Sequence, residues 1–195
     1  TIDAFQNIAV LYENLGKYSD SEQLHKKAVR LYHEALGATH PHTLISLHDF
    51  AYLYQSQGQY EDAEKLFLKV LAIQQNVLGE KLCHTANTLS ELAGLYEAQG
   101  RYSDAEPLKE KVLRLFQKSL GEKHPNTITA INNLAALFSS QGRYSEAEPL
   151  YKKAFILSIK VQGANHTETL ISAFNLAAFY DTLGRYSDAE PMYKK

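Results

Sequence analysis

Apolar residues recur along the chain at steps of three and four, the spacing that places side chains on one face of an α-helix. Between 127 and 141 the apolar positions are Ile128, Ile131, Leu134, Ala135 and Phe138. The segment 145–162 has the same spacing, and apolar and polar residues nowhere alternate for long enough to predict a strand. The pattern therefore predicts an all-α protein.

Glycines divide these helices at a constant interval. One series opens a Gly-x-Tyr triplet at Gly16, Gly58, Gly100, Gly142 and Gly184, and a second lies midway at Gly37, Gly79, Gly121 and Gly163. Both series advance by 42 residues (58 − 16 = 42). The predicted unit is a helix A, a Gly-x-Tyr turn, a helix B and a glycine turn.

This unit predicts the boundaries of every helix. Helix A is predicted at 2–15, 42–57, 85–99, 126–141 and 168–183, and helix B at 19–36, 61–78, 103–120, 145–162 and from 187 to the end. No linker interrupts the series, so we expect one solenoid domain over 1–195. Its repeats would be 1–36, 37–78, 79–120, 121–162 and 163–195.

Polar residues at the start of helix B predict a capping box. Ser103 and Glu106 stand three residues apart, the spacing at which both side chains satisfy free N–H groups of the first helical turn. The same pair recurs at Ser19/Glu22, Ser145/Glu148 and Ser187/Glu190. Pro41 and Pro125 stand where helix A begins, a position that tolerates a missing N–H.

Composition narrows the classes of function. Hydrophobic residues make up 45% and charged residues 22%, as in a folded globular chain, and the net charge of −2 gives no general attraction for nucleic acid or anionic lipid. The single cysteine, Cys83, excludes an internal disulfide. Neither a membrane span nor a signal peptide is evident, so we expect a cytoplasmic protein. The chain begins and ends abruptly, as a fragment would.

Recurring small and aromatic residues indicate packing rather than chemistry. Alanine recurs where helices A and B must approach, and an aromatic residue follows three positions later, as in Ala135 and Phe138. His40, His124 and His166 share one repeat position and would lie too far apart to share a metal. A metal site near His40, His42 and His48 is the weaker alternative. Because no phosphate loop, nucleophile elbow or zinc motif occurs, we expect no enzyme activity, cofactor or metal.

The sequence resembles the tetratricopeptide repeat (TPR) family. Leu134-Ala135-x-x-Phe138, Gly142-x-Tyr144, Ala147 and Ala154 carry the resemblance, and the 42-residue unit is similar to the kinesin light chain and nephrocystin-3-like type. The resemblance implies a right-handed α-solenoid of tandem antiparallel helix pairs. It also implies a non-catalytic scaffold that binds a peptide or protein segment in a concave groove lined by helix A.

Matching this chain to the groove positions of the family gives a set of candidate binding residues. They are Asn7, His48, Asp49, Tyr52, Glu91, Glu97, Asn132, Asn133, Phe174, Asn175 and Asp181. No lysine or arginine occupies the inferred groove positions of helix A, so the expected ligand is neutral or basic. Asn7, Asn133 and Asn175 match asparagines that clamp a peptide backbone in the family, whereas Asp49 and Glu91 replace asparagine in the second and third repeats.

Other interpretations remain open at this point. The array could be a sensor segment of a larger nucleotide-switch signalling protein, with its switch outside this chain. The acidic residues could simply keep an exposed face hydrated. RNA binding is disfavoured by the lack of positive charge, and self-association through incomplete terminal repeats is an alternative role for exposed apolar surface.

Overall fold

The computed structural model describes residues 2–78 and 82–193, with the side chains at 77–78 and 82–84 outside that description. The described residues form ten α-helices and no strand. The helices are α1 Ile2–Asn14, α2 Tyr18–Leu36, α3 Pro41–Ser56, α4 Tyr60–Leu78, α5 Leu82–Ala98, α6 Tyr102–Leu120, α7 Pro125–Ser140, α8 Tyr144–Gln162, α9 Thr167–Thr182 and α10 Tyr186–Tyr193. Odd-numbered helices are the predicted helices A, and even-numbered helices are the predicted helices B.

The chain divides into two compact units, Thr1–Gln99 with helices α1–α5 and Gly100–Lys195 with helices α6–α10. Within each unit every helix packs on the next one along the chain. Because only a few residues separate successive helices, neighbouring helices within each unit run antiparallel. The prediction of an all-α array of tandem helix pairs is therefore confirmed within each unit, while the single-domain organisation over 1–195 stays a prediction.

Alanine is buried at the repeat position where the sequence predicts that helices A and B approach each other. Ala9, Ala51, Ala93, Ala135 and Ala177 are all completely buried. The aromatic side chains that follow them, Tyr96, Phe138 and Tyr180, are also buried, and Tyr12 and Tyr54 are half-buried. A small residue next to a large one lets two helices approach while the space beside them stays filled.

The Gly-x-Tyr turn ends helix A in the way its glycine requires. Gly142 has a φ of +73°, and the N–H of Arg143 donates to the carbonyl of Phe138 at 2.8 Å. The N–H of Gly142 donates to Ser139 at 3.0 Å, which completes a Schellman motif. Gly79 of the second glycine series lies outside the described residues.

Histidine caps the start of helix A, a role that the sequence did not predict. The Nδ1 atoms of His40, His124 and His166 each accept a hydrogen bond at 3.2 Å from the backbone N–H two residues later. Pro41 and Pro125 follow the first two histidines at the start of the helix, as predicted. The shared position of the three histidines therefore has a structural explanation.

The predicted capping box at the start of helix B is wrong. The residue at the N-cap of α6 is Arg101, and no side chain forms a capping hydrogen bond there. Ser103 is already inside the helix, where its hydroxyl cannot take the N-cap position. The same holds for α2 and α8, whose N-caps are Lys17 and Arg143.

The glutamate of the predicted box instead joins one repeat to the next. In the first unit, the Tyr54 hydroxyl donates to Glu22 at 3.1 Å and the Tyr96 hydroxyl to Glu64 at 2.8 Å. In the second unit, arginine replaces tyrosine as the donor. Arg143 Nη1 donates to Glu106 at 2.6 Å and Arg185 Nη1 to Glu148 at 3.0 Å.

Candidate functional site

The helix-A face of the first unit, formed by the outward side chains of α1, α3 and α5, carries a connected polar cluster. Gln6 Nε2 on α1 donates to Asp49 Oδ2 on α3 at 3.0 Å. The Tyr52 hydroxyl on α3 hydrogen-bonds to Glu91 on α5. Asp49, Tyr52 and Glu91, all predicted from the sequence, thus link three helices A along one face.

His48 lies at the centre of this cluster and is half-buried. Its ring centroid is 5.2 Å from those of Tyr52 and of the buried Phe67. Burial lowers the pKa of His48, while the charges of Glu91 and Asp49 act in the opposite direction. His48 therefore presents a largely neutral ring, able to donate one hydrogen bond and accept another, beside two carboxylates.

The carboxylates of this face are engaged with neighbouring helices. Burial raises the pKa of Asp49, and this effect is partly offset by the neighbouring His25 and His48 rings and by the hydrogen bond from Gln6. Burial and the hydrogen bond to Glu91 raise the pKa of the Tyr52 hydroxyl. Asp49 and Glu91 therefore each have a structural role. Their two carboxylates also give the face a negative character that suits a cationic or hydrogen-bond-donating ligand.

The two remaining predicted residues of the first unit differ in their surroundings. Asn7 is exposed on α1, and its amide has no hydrogen-bond partner among the described residues. Glu97 is half-buried on α5 and interacts with another residue of the chain. Only Asn7 therefore has its full hydrogen-bonding capacity available.

In the second unit, two predicted asparagines are accessible on the helix-A face. Asn133 on α7 is exposed and Asn175 on α9 is half-buried. Within the part of the chain that the structure describes, neither side-chain amide forms a hydrogen bond. The α6 residue Lys109 places its Nζ 3.3 Å from the carbonyl oxygen of Asn133.

Lys109 changes the expected charge of this surface. The groove positions of helix A have no cation, but Lys109 extends from helix B to the helix-A face. The sequence reasoning considered helix A alone and missed it. The sequence does contain a signal for this lysine, because it is the only lysine or arginine at its repeat position. The residues at that position are His25, Phe67, Lys109, Tyr151 and Tyr193.

Asn132 lies in a different environment from the one predicted. It is only 7% exposed, and its Nδ2 donates to Ser172 Oγ on α9 at 3.0 Å. Ser172 Oγ is in turn 3.0 Å from Ser158 Oγ on α8. Asn132 therefore joins α7 to α9 inside the unit and is not available on the surface, which corrects its assignment to the groove.

The end of the helix-A face in the second unit is aromatic. Phe174 on α9 is 60% exposed, and its ring centroid lies 5.8 Å from that of Tyr193 on α10. The Tyr193 hydroxyl donates to Asp181 Oδ2 at 2.6 Å. Phe174 and Ile171, which is 46% exposed, offer apolar contact area close to Asn175 in sequence.

Neither a metal centre nor a membrane segment is found in the described residues. No three of their histidine, cysteine, aspartate and glutamate side chains are grouped so as to hold a metal ion. None of the described helices has the length and apolar character that crossing a bilayer requires.

Comparison with known proteins establishes the family. The tetratricopeptide repeat profile matches residues 1–76, 84–155 and 141–195. The chain therefore belongs to the tetratricopeptide repeat family, whose arrays serve as protein-interaction scaffolds and are typically non-catalytic. No curated protein sequence matches the chain.

Solved structures specify the type of repeat. Two of them contain the nearly identical TPR-like repeats of a Podosopora anserina protein assigned as a kinesin light chain. One is 26% identical with a TM-score of 0.83, covering 99% of this chain and 91% of that chain. The other is 27% identical with a TM-score of 0.81, covering 99% and 92%. The resemblance to the kinesin light chain type is confirmed.

A third structure shares the fold alone. BtubC (BKLC) from P. vanneervenii is 20% identical with a TM-score of 0.83, and the match covers 99% of this chain and 77% of that chain.

Proposed function

We propose that the helix-A faces bind a segment of a partner protein, with asparagine amides clamping its backbone. The residues at one repeat position are Asn7, Asp49, Glu91, Asn133 and Asn175. The two carboxylates belong to the polar cluster of the first unit, whereas the three amides have no side-chain partner among the described residues. These available amides are the observation that carries the proposal.

An asparagine amide suits a peptide backbone because it can donate to a carbonyl and accept from an N–H at the same time. In the second unit, Asn133 and Asn175 belong to consecutive helices A, and Phe174 and Ile171 add apolar contact area. A segment bound there is extended and neutral, with an apolar side chain against Phe174. Lys109 next to Asn133 favours a ligand carbonyl at that place over a ligand cation.

The first unit favours a different kind of segment. Its polar cluster has two carboxylates and a largely neutral histidine, so a basic or hydrogen-bond-donating segment suits it best. The expected partner is therefore a neutral-to-basic protein segment. Acidic segments are disfavoured on the helix-A face of the first unit.

The test uses pools of short fluorescein-labelled random peptides, one basic, one neutral and one acidic, in an anisotropy titration. We expect the basic and neutral pools to bind more tightly than the acidic pool. Asn133→Ala and Asn175→Ala should each weaken binding about 5- to 150-fold, since each removes two hydrogen bonds worth about 0.5–1.5 kcal/mol apiece.

Asn165→Ala is the matched control, because Asn165 is an exposed amide in the turn before α9 and outside the helix-A face. All three variants should keep the thermal unfolding midpoint of the wild type. Equal affinity of Asn133→Ala and Asn165→Ala, or preferential binding of the acidic pool on this face, would refute the clamp.

A further inference from the structure

A groove on the helix-B side of the first unit offers a second binding surface, distinct from the helix-A face. It lies between α2 and α4 and encloses about 410 Å³, a volume within the range of about 300–1,000 Å³ typical of ligand pockets. Apolar side chains from three helices line it, among them Val29 of α2, Leu47 and Phe50 of α3, and Leu66 and Ile73 of α4. We call it the α2–α4 groove.

Cations dominate the polar lining of the α2–α4 groove. Lys26, Arg30 and Lys69 line it together with His33, against the single carboxylate of Glu34. Lys26 pairs with Glu22 at 2.6 Å, and Arg30 lies 3.8 Å from Glu34. Lys69 has no ion pair or hydrogen bond with any residue that the structure describes, so its ammonium group is available to a ligand.

Comparison with the equivalent residues of the second unit, 84 positions later, shows which partner Lys69 lacks. There, Lys153 occupies the position of Lys69, and Glu122 occupies that of Ala38. Lys153 Nζ pairs with Glu122 Oε1 at 2.5 Å. Because both Ala38 and Lys69 line the α2–α4 groove, the Glu122–Lys153 pair spans the same place in the second unit.

The lining of the groove differs in volume as well as in charge. Val29 of the first unit corresponds to Leu113 of the second, which packs against the core cluster around Ile131. Valine is smaller than leucine by one methylene group, and alanine replaces the carboxylate side chain. The larger Phe50 of the first unit, which corresponds to Leu134 of the second, partly offsets this difference in size. The clear contrast is therefore in charge, since the first unit has a free cation where the second unit has an ion pair.

We propose that the α2–α4 groove docks an acidic protein segment, whose carboxylate pairs with Lys69 and whose aliphatic side chain inserts between α2 and α4. The ligand carboxylate takes the place that Glu122 has in the second unit, and the aliphatic side chain buries the apolar lining. A segment with both features is favoured over a simple anion because most of the lining is apolar. This preference is opposite in charge to that of the helix-A face.

The test uses three fluorescein-labelled peptides of equal length, built from leucine and glutamate, leucine and lysine, or serine and glutamate. We expect the leucine–glutamate peptide alone to bind saturably at the α2–α4 groove. Its contact site is read from the methyl resonances of Val29, Leu47, Leu66 and Ile73, which should shift on titration.

The second unit supplies the decisive variant. Ala38→Glu introduces the residue found at position 122, which should pair with Lys69 and reduce affinity at least about tenfold. Ala38→Gln has almost the same shape without the charge and should bind markedly better than Ala38→Glu. Lys69→Gln should also lose affinity, and Asn133→Ala should have no effect, which separates this site from the helix-A face.

Three results would overturn the proposal. The first is equal affinity of the Ala38→Glu and Ala38→Gln variants for the leucine–glutamate peptide. The second is equal binding of the serine–glutamate peptide, which would indicate charge attraction without an apolar anchor. The third is the absence of saturable binding or of methyl shifts in the groove.

Discussion

Replacing Phe67 by alanine should destabilise the first unit and, at the same time, loosen the packing of its polar cluster. Phe67 on α4 is completely buried and is the largest such side chain described in the chain. Its ring meets the His48 ring at 5.2 Å and 73° and the Tyr52 ring at 6.1 Å and 84°, both edge-to-face arrangements. The side chain therefore supports the two aromatic residues of the candidate site.

The expected cost follows from this burial. Deleting a buried phenylalanine removes its transfer free energy and leaves a cavity, about 3–5 kcal/mol in all. Phe67→Leu keeps most of the burial and loses two ring contacts worth about 0.5–1.5 kcal/mol each, so about 1–3 kcal/mol is expected. The free energy of unfolding is obtained from urea titrations followed by far-UV circular dichroism.

Local readouts distinguish this mechanism from a general loss of stability. Amide hydrogen exchange in the Phe67→Ala variant should accelerate first in α3 and α4, because repeat units are coupled mainly to their neighbours. Leu68→Ala is a suitable control, since Leu68 is the next residue on α4 and is 44% exposed. A cost for Phe67→Ala below about 1 kcal/mol, or equal to that of Leu68→Ala, would refute the role given to Phe67.

Two further predictions concern single hydrogen-bonding groups. Burial raises the pKa of Asp49 above its ordinary value of 3.8, so the folded state holds this proton more tightly than the unfolded state, and the ionised carboxylate costs stability at neutral pH. Asp49→Asn should therefore raise the free energy of unfolding at neutral pH. Urea titrations should show this gain in stability disappearing as the pH falls below about 3.8, and an unchanged gain in acid would contradict this. His124→Ala should lower the stability of the second unit by about 0.5–2 kcal/mol through loss of the helix cap, measured by thermal unfolding, and His124→Asn should restore most of it. Equal midpoints for the alanine and asparagine variants would exclude the capping role.

The helices could be predicted because the repeat presents each signal several times. The glycine of Gly142-x-Tyr144 and the proline of Pro125 act locally, through backbone conformation and a missing donor, so their effects follow from the sequence. The predicted start of α8 at 145 differs from the observed Tyr144 by one residue. This difference of one residue in the helix start is enough to place Ser145 inside the helix and not at its N-cap.

The contacts of the site depended on neighbours that the sequence does not bring together. Glu106 has the spacing of a capping residue, yet a stronger partner, Arg143, lies 37 positions later and takes its carboxylate. Asn132 and Asn133 are adjacent in sequence, but a helix turns by about 100° per residue, so one lies inside the unit and the other outside. Side-chain length also matters, because Lys109 reaches a surface that its own helix does not form.

The available asparagine amides are the basis of the proposed function, and their own resonances test it most directly. The side-chain amide signals of Asn133 and Asn175, assigned by substitution, can be followed by two-dimensional NMR while the neutral peptide pool is titrated in. The clamp predicts that both signals shift together and saturate with the binding isotherm, while the Asn165 signal stays in place. Saturable binding with unmoved Asn133 and Asn175 signals would contradict it.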